Sequence, residues 1–318
     1  MRMSALSIEA VGLTKHYNSF IALSDLNLSL SGSKCVGFLG PNGAGKTTTL
    51  KIFADMIRPT KGKALINGID VRENKKEALA GCGILVETPE IYPSLTVREA
   101  LSMLAEIRGI PGSRKKEMIF EAISEVKMEE WLDKKVGKLS KGMKQRVNIA
   151  AALLAEPEIM LLDEPSTGLD PRGMAEVREI VKGLKRKSRL IFMSSHLLSE
   201  VAEVCDEVAI IDHGRLLMYD TIENATAGLS GSGDITIAEV DFSKPLGEPL
   251  LKSISHIEGV VEAAPLNHKR LALKFRGGVE AQERILGEIA AMKSGMISFK
   301  PSSSALEDAY LRLVKDTV

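Results

Sequence analysis

A surplus of charge of either sign is absent from this sequence: 42 Lys and Arg stand against 42 Asp and Glu, a formal net charge of zero. A chain that binds nucleic acid generally carries a basic surplus, so no nucleic-acid partner is expected. Cysteines are few, at Cys35, Cys82 and Cys205 with no CxxC spacing, which implies no disulfide framework and points to a reducing compartment. A long apolar run is missing too. The longest strongly apolar stretch, Ile149 to Ala155, falls far short of the ~20 residues a membrane span needs. The opening "MRMSALSIEAVGL" has neither the apolar core nor the small-residue cleavage site of a signal peptide. These shortages predict a cytoplasmic chain whose link to a membrane, where it has one, runs through a partner.

What is present is length and pattern. At 318 residues the chain exceeds the ~100–200 of a typical domain, so one large domain or two unequal ones is expected. "LSIEAVGL" and "LNLSL", within residues 6–30, alternate apolar and polar as antiparallel strands do. "CVGFLG" (35–40) then reads as a buried strand, and "KTTTLKIFADMI" (46–57) as a helix stopped before Pro59. From about Pro93 to Leu132 the apolar spacing turns helical, as in an inserted helical subdomain. "IMLLD" (159–163), "LIFMSS" (190–195) and "VAIID" (208–212) are β-rich runs separated by helical stretches, the alternation of an α/β parallel sheet.

The small, Gly- and Ser-rich "NATAGLSGSGD" (224–234) reads as a linker. Beyond it the pattern predicts strand 235–242, helix 246–257, strands 259–265 and 270–275, helix 279–292 and strand 296–300. That order, βαββαβ, is the ferredoxin-like arrangement. A terminal helix over 304–316 follows, with Ser304 as cap and Glu307 completing a capping box.

The chemistry concentrates in a few short stretches. "GPNGAGKT", from Gly40 through Pro41, Asn42, Gly43, Ala44, Gly45 and Lys46 to Thr47, matches GxxxxGK[ST] between a strand and a helix. Its glycines let backbone N–H groups curl around phosphates, Lys46 reaches the β/γ-phosphates, and Thr47 offers a hydroxyl to Mg²⁺. "IMLLDEP" ends a strand in two acids: Asp163 would support Mg²⁺, and Glu164 would orient or deprotonate a water. "LSKGMKQRV" opens a second helix start suited to an anion, with Ser140 as its cap.

Over roughly residues 6–220 these motifs, in this order, resemble the nucleotide-binding subunit of ATP-binding cassette (ABC) transporters. "GPNGAGKTT" corresponds to the family's phosphate loop, which includes Thr48, "LSKGM" to its signature and "IMLLDEP" to its Walker B strand. "STGLD" with Asp170 corresponds to its D-loop and His196 in "SSH" to its switch histidine. Tyr17 in "LTKHYNSFIAL" matches the aromatic on which the family stacks adenine. The resemblance implies a P-loop NTPase cassette at 1–223, with parallel sheet core, antiparallel β-subdomain and helical subdomain at about 88–157. A small α+β ferredoxin-like accessory domain at 235–318 completes the expected chain.

The same resemblance implies hydrolysis of ATP with Mg²⁺ by Lys46, Glu164 and His196, in a homodimer or heterodimer of ATP-binding subunits. Ser140 and Gly142 would touch the nucleotide of the facing subunit. Separate transmembrane permease subunits would dock the pair to the inner face of the cell membrane, and the C-terminal extension resembles that of an exporter-type subgroup. Two departures stand out: Glu87 occupies a position where the family often has Gln, and Lys141 and Met143 replace the Gly and Gln of LSGGQ. Glu87 is expected as a metal-side ligand that senses the membrane partner. Two rivals carry less. A soluble cassette ATPase of DNA repair or ribosomes would bring long coiled coils or a second cassette, and a binding-only module would lack the intact Lys46, Asp163 and Glu164.

Overall fold

The computed structural model describes residues 6–87, 91–227 and 235–301. The chain divides into two compact units, residues 1–220 and 221–318. The first begins with β1 (Ser7–Tyr17) and β2 (Phe20–Ser31), a hairpin whose Leu26, Leu28 and Leu30 are buried while Asn27 and Ser29 face out. That alternation turns one face of the ribbon into core. Then come β3 (Cys35–Leu39), α1 (Lys46–Phe53), β4 (Lys61–Ile66), β5 (Ile69–Asp70), the short α2 (Lys75–Ala78) and β6 (Cys82–Leu85). The first sheet has the order β2-β1-β4-β5. Helix α1, expected over 46–57, ends at Phe53, where Asp55 turns the chain at φ 50°.

The helical part follows as α3 (Val97–Ile107), α4 (Gly112–Glu125) and α5 (Lys141–Leu153). Thr96 starts α3 with a capping box: its hydroxyl accepts from Glu99 N–H while the Glu99 carboxylate accepts from Thr96 N–H. The bidentate pair of Arg189 with Glu125, at 2.7 and 3.1 Å, ties the end of α4 back to the core.

The unit is completed by β7 (Ile159–Asp163), α6 (Pro171–Lys185), β8 (Leu190–Ser195), α7 (Leu198–Val204), β9 (Glu207–Asp212) and β10 (Arg215–Thr221). These build a six-stranded sheet, β10-β9-β3-β8-β7-β6, in which β9, β3, β8, β7 and β6 run parallel. Strands β3, β8 and β7 lie side by side, so their carboxyl ends deliver the phosphate loop, the serines of "SSH" and Asp163 to one edge. Ligands of open α/β sheets gather at such an edge. Phe38, Phe53 and Phe192 pack beneath it, their ring centroids 5.1 and 6.2 Å from Phe192.

The second unit begins with α8 (Ile222–Ala227), which takes the first four residues of the stretch expected to be a linker. Thr221 supplies the reason, because its hydroxyl accepts the Asn224 N–H and starts a helix turn. Then follow β11 (Ile235–Phe242), α9 (Glu248–Ser255), β12 (Val260–Asn267), β13 (Arg270–Arg276), α10 (Val279–Ala291) and β14 (Met296–Pro301). The sheet order is β12-β13-β11-β14, all pairs antiparallel. Val240, Phe242, Leu271, Leu273 and Phe275 on alternate strand positions meet Ile254 of α9 and Ile285 and Ile289 of α10 in one core. The helix expected over 304–316, with Ser304 and Glu307, lies outside the described residues.

Candidate active site

Strand β3 is buried along its whole length and releases the chain at Gly40. Gly45, the last loop residue, sits at φ 109°, and a Cβ there would fall 2.6 Å from Ala22 O, so only glycine fits. Lys46 opens α1 with its side chain buried. Its Nζ donates to Gly40 O at 2.8 Å and Pro41 O at 3.1 Å, and stands 3.4 Å from Glu164 Oε1. The ammonium is therefore held inside the loop, beside a helix N-terminus that favours anions. Pro41, Asn42 and Gly43 form the outer turn, Ala44 is buried, and Thr48 is half-buried behind Thr47.

Across the sheet, one hydroxyl organises both Walker B acids. Ser194 Oγ donates to Asp163 Oδ1 at 2.6 Å and accepts the Glu164 N–H at 2.9 Å. Thr47 Oγ1 donates to the same Asp163 Oδ1 at 3.2 Å. These hard oxygens suit Mg²⁺, which takes one or two protein ligands and fills its octahedron with phosphate and water. Among the described residues no cluster of three or more His, Cys, Asp or Glu is placed to hold a metal.

Glu164 adopts a left-handed backbone at φ 44° that turns its carboxylate toward Lys46. Oε2 accepts from Thr167 Oγ1 at 2.8 Å and lies 3.1 Å from His196 Nδ1. Burial pushes this carboxyl up, but the Thr167 hydrogen bond and the charges of Lys46 and His196 outweigh it, leaving Glu164 below its ordinary value. The site thus holds an ionised base next to a fixed cation. Lys46, Thr47, Asp163, Glu164 and His196, five residues singled out from the sequence, meet here. Ser194 and Thr167 were not assigned; Ser194 stands in "SSH" and Thr167 in "STGLD", beside residues that were.

The signature residues form a separate group. Ser140 caps α5, its Oγ accepting the Met143 N–H at 3.2 Å. A Cβ on Gly142 would touch Gly173 Cα at 3.5 Å, so the starts of α5 and α6 pack closely. Asp170 caps α6 by accepting the Gly173 N–H at 3.1 Å. Gln145, unassigned from the sequence, donates from its buried amide to Pro165 O at 2.8 Å and ties α5 to the segment after Glu164. Lys141 lies against the D-loop: its ammonium stands 2.4 Å from where a Cβ on Gly168 would fall, and the φ of 73° there favours glycine.

Two further expectations end in different surroundings. Tyr17 closes β1, 43% exposed, opposite the exposed Phe20 on β2, with Lys15 Nζ 4.9 Å from its ring centroid. Glu87 does not join the Thr47 and Asp163 oxygens in this structure. Its carboxylate, 62% exposed, pairs with Lys51, one helical turn beyond Thr47 on α1.

The sequence model of the ABC transporter family matches residues 23–167. The bacitracin transport ATP-binding protein BcrA of Bacillus licheniformis is 45% identical over 211 residues, 66% of this chain and 68% of that protein. The chain belongs to the ABC transporter family. The uncharacterized ABC transporter ATP-binding protein YhcH of Bacillus subtilis (strain 168) is 35% identical over 318 residues, 98% of this chain and 96% of that one. Similarity to this ABC relative therefore runs through the second unit. A solved ATP-binding subunit of an ABC transporter superposes with TM-score 0.62 at 29% identity, covering 70% of this chain and 92% of its own. The first unit is an ABC ATPase cassette, and the activity of its family is ATP hydrolysis coupled to transport.

Proposed function

We propose that this ABC ATPase powers export through separate membrane permease subunits on the inner face of the cell membrane, working as one of two ATP-binding subunits that share their sites. The observation that carries the catalytic reading is the single carboxylate of Glu164 held at once by Lys46, Thr167 and His196. The transport reading is supported by the bacitracin transport protein to which the chain is similar, and the export direction by its 33% identity over 213 residues to the Nod factor export ATP-binding protein I of Burkholderia orbicola (strain AU 1054). Among the described residues no helix is long and apolar enough to cross a membrane, which suits a subunit that borrows its permease.

On this reading the loop from Gly40 to Thr48 wraps the ATP phosphates, Tyr17 stacks on adenine, and Lys46 offsets the phosphate charge. Thr47 and Asp163 would hold Mg²⁺, and the ion bound there would supply positive charge against the phosphates. Glu164 takes a proton from water as the water oxygen bonds to the terminal phosphorus and ADP departs. His196, fixed against Glu164, donates to the terminal phosphate. Ser140 and Gly142 approach the nucleotide of the facing subunit, so neither chain closes a site alone.

The test has two arms. ATP turnover is measured for the wild type and Glu164→Gln, with turnover expected in the first and lost in the second. The chain is also co-expressed with the product of its neighbouring open reading frame and fractionated, with recovery expected in membranes as one complex with a permease. Equal turnover in both proteins overturns the role of Glu164. A chain that stays out of the membrane fraction overturns the transport reading.

A further inference from the structure

Two consecutive serines end β8, and successive strand residues point to opposite faces. Ser194 serves the Walker B acids, as described. Ser195 turns the other way: its Oγ donates to Glu200 Oε2 at 2.6 Å and accepts the Leu197 N–H at 3.0 Å. Glu200, the third residue of α7, is only 4% exposed. Its other oxygen, Oε1, is buried with no hydrogen-bond partner among the described residues. Nothing in the phosphate chemistry uses this acid.

A buried carboxyl with half its acceptor capacity unfilled costs stability, so packing alone would favour an apolar side chain. What the acid holds is a turn. Ser195 and Leu197 flank His196, and the Ser195 hydroxyl is the link between that turn and Glu200. Leu197, the residue that precedes α7, makes no side-chain cap, and its own N–H is held by the Ser195 oxygen. Glu200 and Ser195 together therefore fix the backbone on both sides of the imidazole whose Nδ1 lies 3.1 Å from Glu164.

We infer that Glu200 is a positioning residue for hydrolysis: through Ser195 it sets the turn that presents His196 to Glu164 and to the terminal phosphate. The inference rests on the role proposed above for His196. It distinguishes Glu200 from a mere first-turn acid of α7, whose loss would lower thermal stability and leave turnover alone.

The test uses the full-length chain and measures kcat, KM for Mg-ATP and Tm. Glu200→Ala is expected to lower kcat about 10- to 100-fold, because small misplacement of a catalytic group has effects of that order, with KM within about twofold of wild type. Glu200→Gln should recover most of the loss, since its amide oxygen still accepts the Ser195 hydrogen. In a His196→Ala background Glu200→Ala should have no further effect on kcat. Ser195→Ala gives the same reading if Glu200→Ala fails to fold. A lowered Tm with unchanged kcat, or a loss that persists in full without His196, overturns the inference. If His196→Ala turns over like wild type, the role of His196 falls and this inference with it. If His196→Ala is slow while folded Glu200→Ala and Ser195→Ala are not, the inference alone falls.

Discussion

Two helix starts in the first unit suit an anion, yet they are built differently. At the phosphate loop, Lys46, Thr47, Asp163, Glu164 and His196 converge from α1, β7 and the end of β8 into one hydrogen-bonded network. At the signature, Ser140 caps its own helix, Gly142 packs on Gly173 and Lys141 lies over Gly168. The first end is wired to acids and a base that can do chemistry. The second is a rigid platform with no acid or base of that kind, which fits a surface that completes a site on another chain. The contrast is sharpest where it can be broken experimentally.

The largest effect is expected at the wired end. Glu164→Gln should lower turnover by about 10²- to 10⁴-fold, the range of a lost general base, while ATP binding survives because Lys46 and the loop remain. Glu164 lies below its ordinary value, so it stays ionised down through the usual carboxylate range. The acid limb of kcat/KM against pH should therefore fall below pH 4.5. An acid limb near neutrality would contradict this electrostatic reading.

Next comes the platform. Mixed dimers of a Ser140→Arg chain with a Lys46→Ala chain should keep one site free of both lesions, whereas each homodimer has none. Turnover in the mixture, against about 10-fold or greater loss in either parent, is the expected result. A mixture as inactive as the parents would place both halves of the site in one chain.

Much of the wired end was legible because its chemistry is compressed into short strings. "GPNGAGKT" carries a loop whose glycines are dictated by backbone geometry, as Gly45 shows. The second unit's βαββαβ order was likewise readable from strand alternation such as Leu271, Leu273 and Phe275. What stayed hidden depends on neighbours distant in sequence. Ser194 and Thr167 acquire roles only when β8 and the D-loop lie beside β7. Helix α8 escaped because Thr221, its starter, precedes the run whose small residues suggested a linker. The partner of Glu87 was invisible for the same reason, since Lys51 lies 36 positions away.

The Arg189–Glu125 pair is half-buried, unlike the exposed pairs of the surface. Burial pushes the Glu125 carboxyl up, but Arg189, hydrogen-bonded and charged, and then Lys187 bring it below its ordinary value. A carboxyl lowered on folding contributes stability above its unfolded value, 4.5, and loses it as pH falls through the folded one. Glu125→Ala should destabilise the first unit at pH 7 by about 1–3 kcal/mol, since the buried Arg189 then keeps only its bond to Pro157 O. The gap to wild type should shrink below pH 4.5. Denaturant titration at the two pH values checks both statements, and a gap independent of pH would assign the loss to packing.

The smallest effect is expected at Glu87, which lies one helical turn from the wired end without joining it. Its pairing with Lys51 is exposed, and such pairs contribute about 0–1 kcal/mol, so Glu87→Ala should move Tm hardly at all. If Glu87 serves the metal side during turnover, Lys51 competes for its carboxylate. Lys51→Met should then lower the Mg²⁺ concentration for half-maximal turnover by about twofold, the scale set by losing one weak surface pair. Glu87→Gln should raise it. A Mg²⁺ requirement indifferent to both substitutions would leave Glu87 as the surface partner of Lys51, and would confine metal binding to the Thr47 oxygen and to the Asp163 carboxylate that Ser194 holds in place.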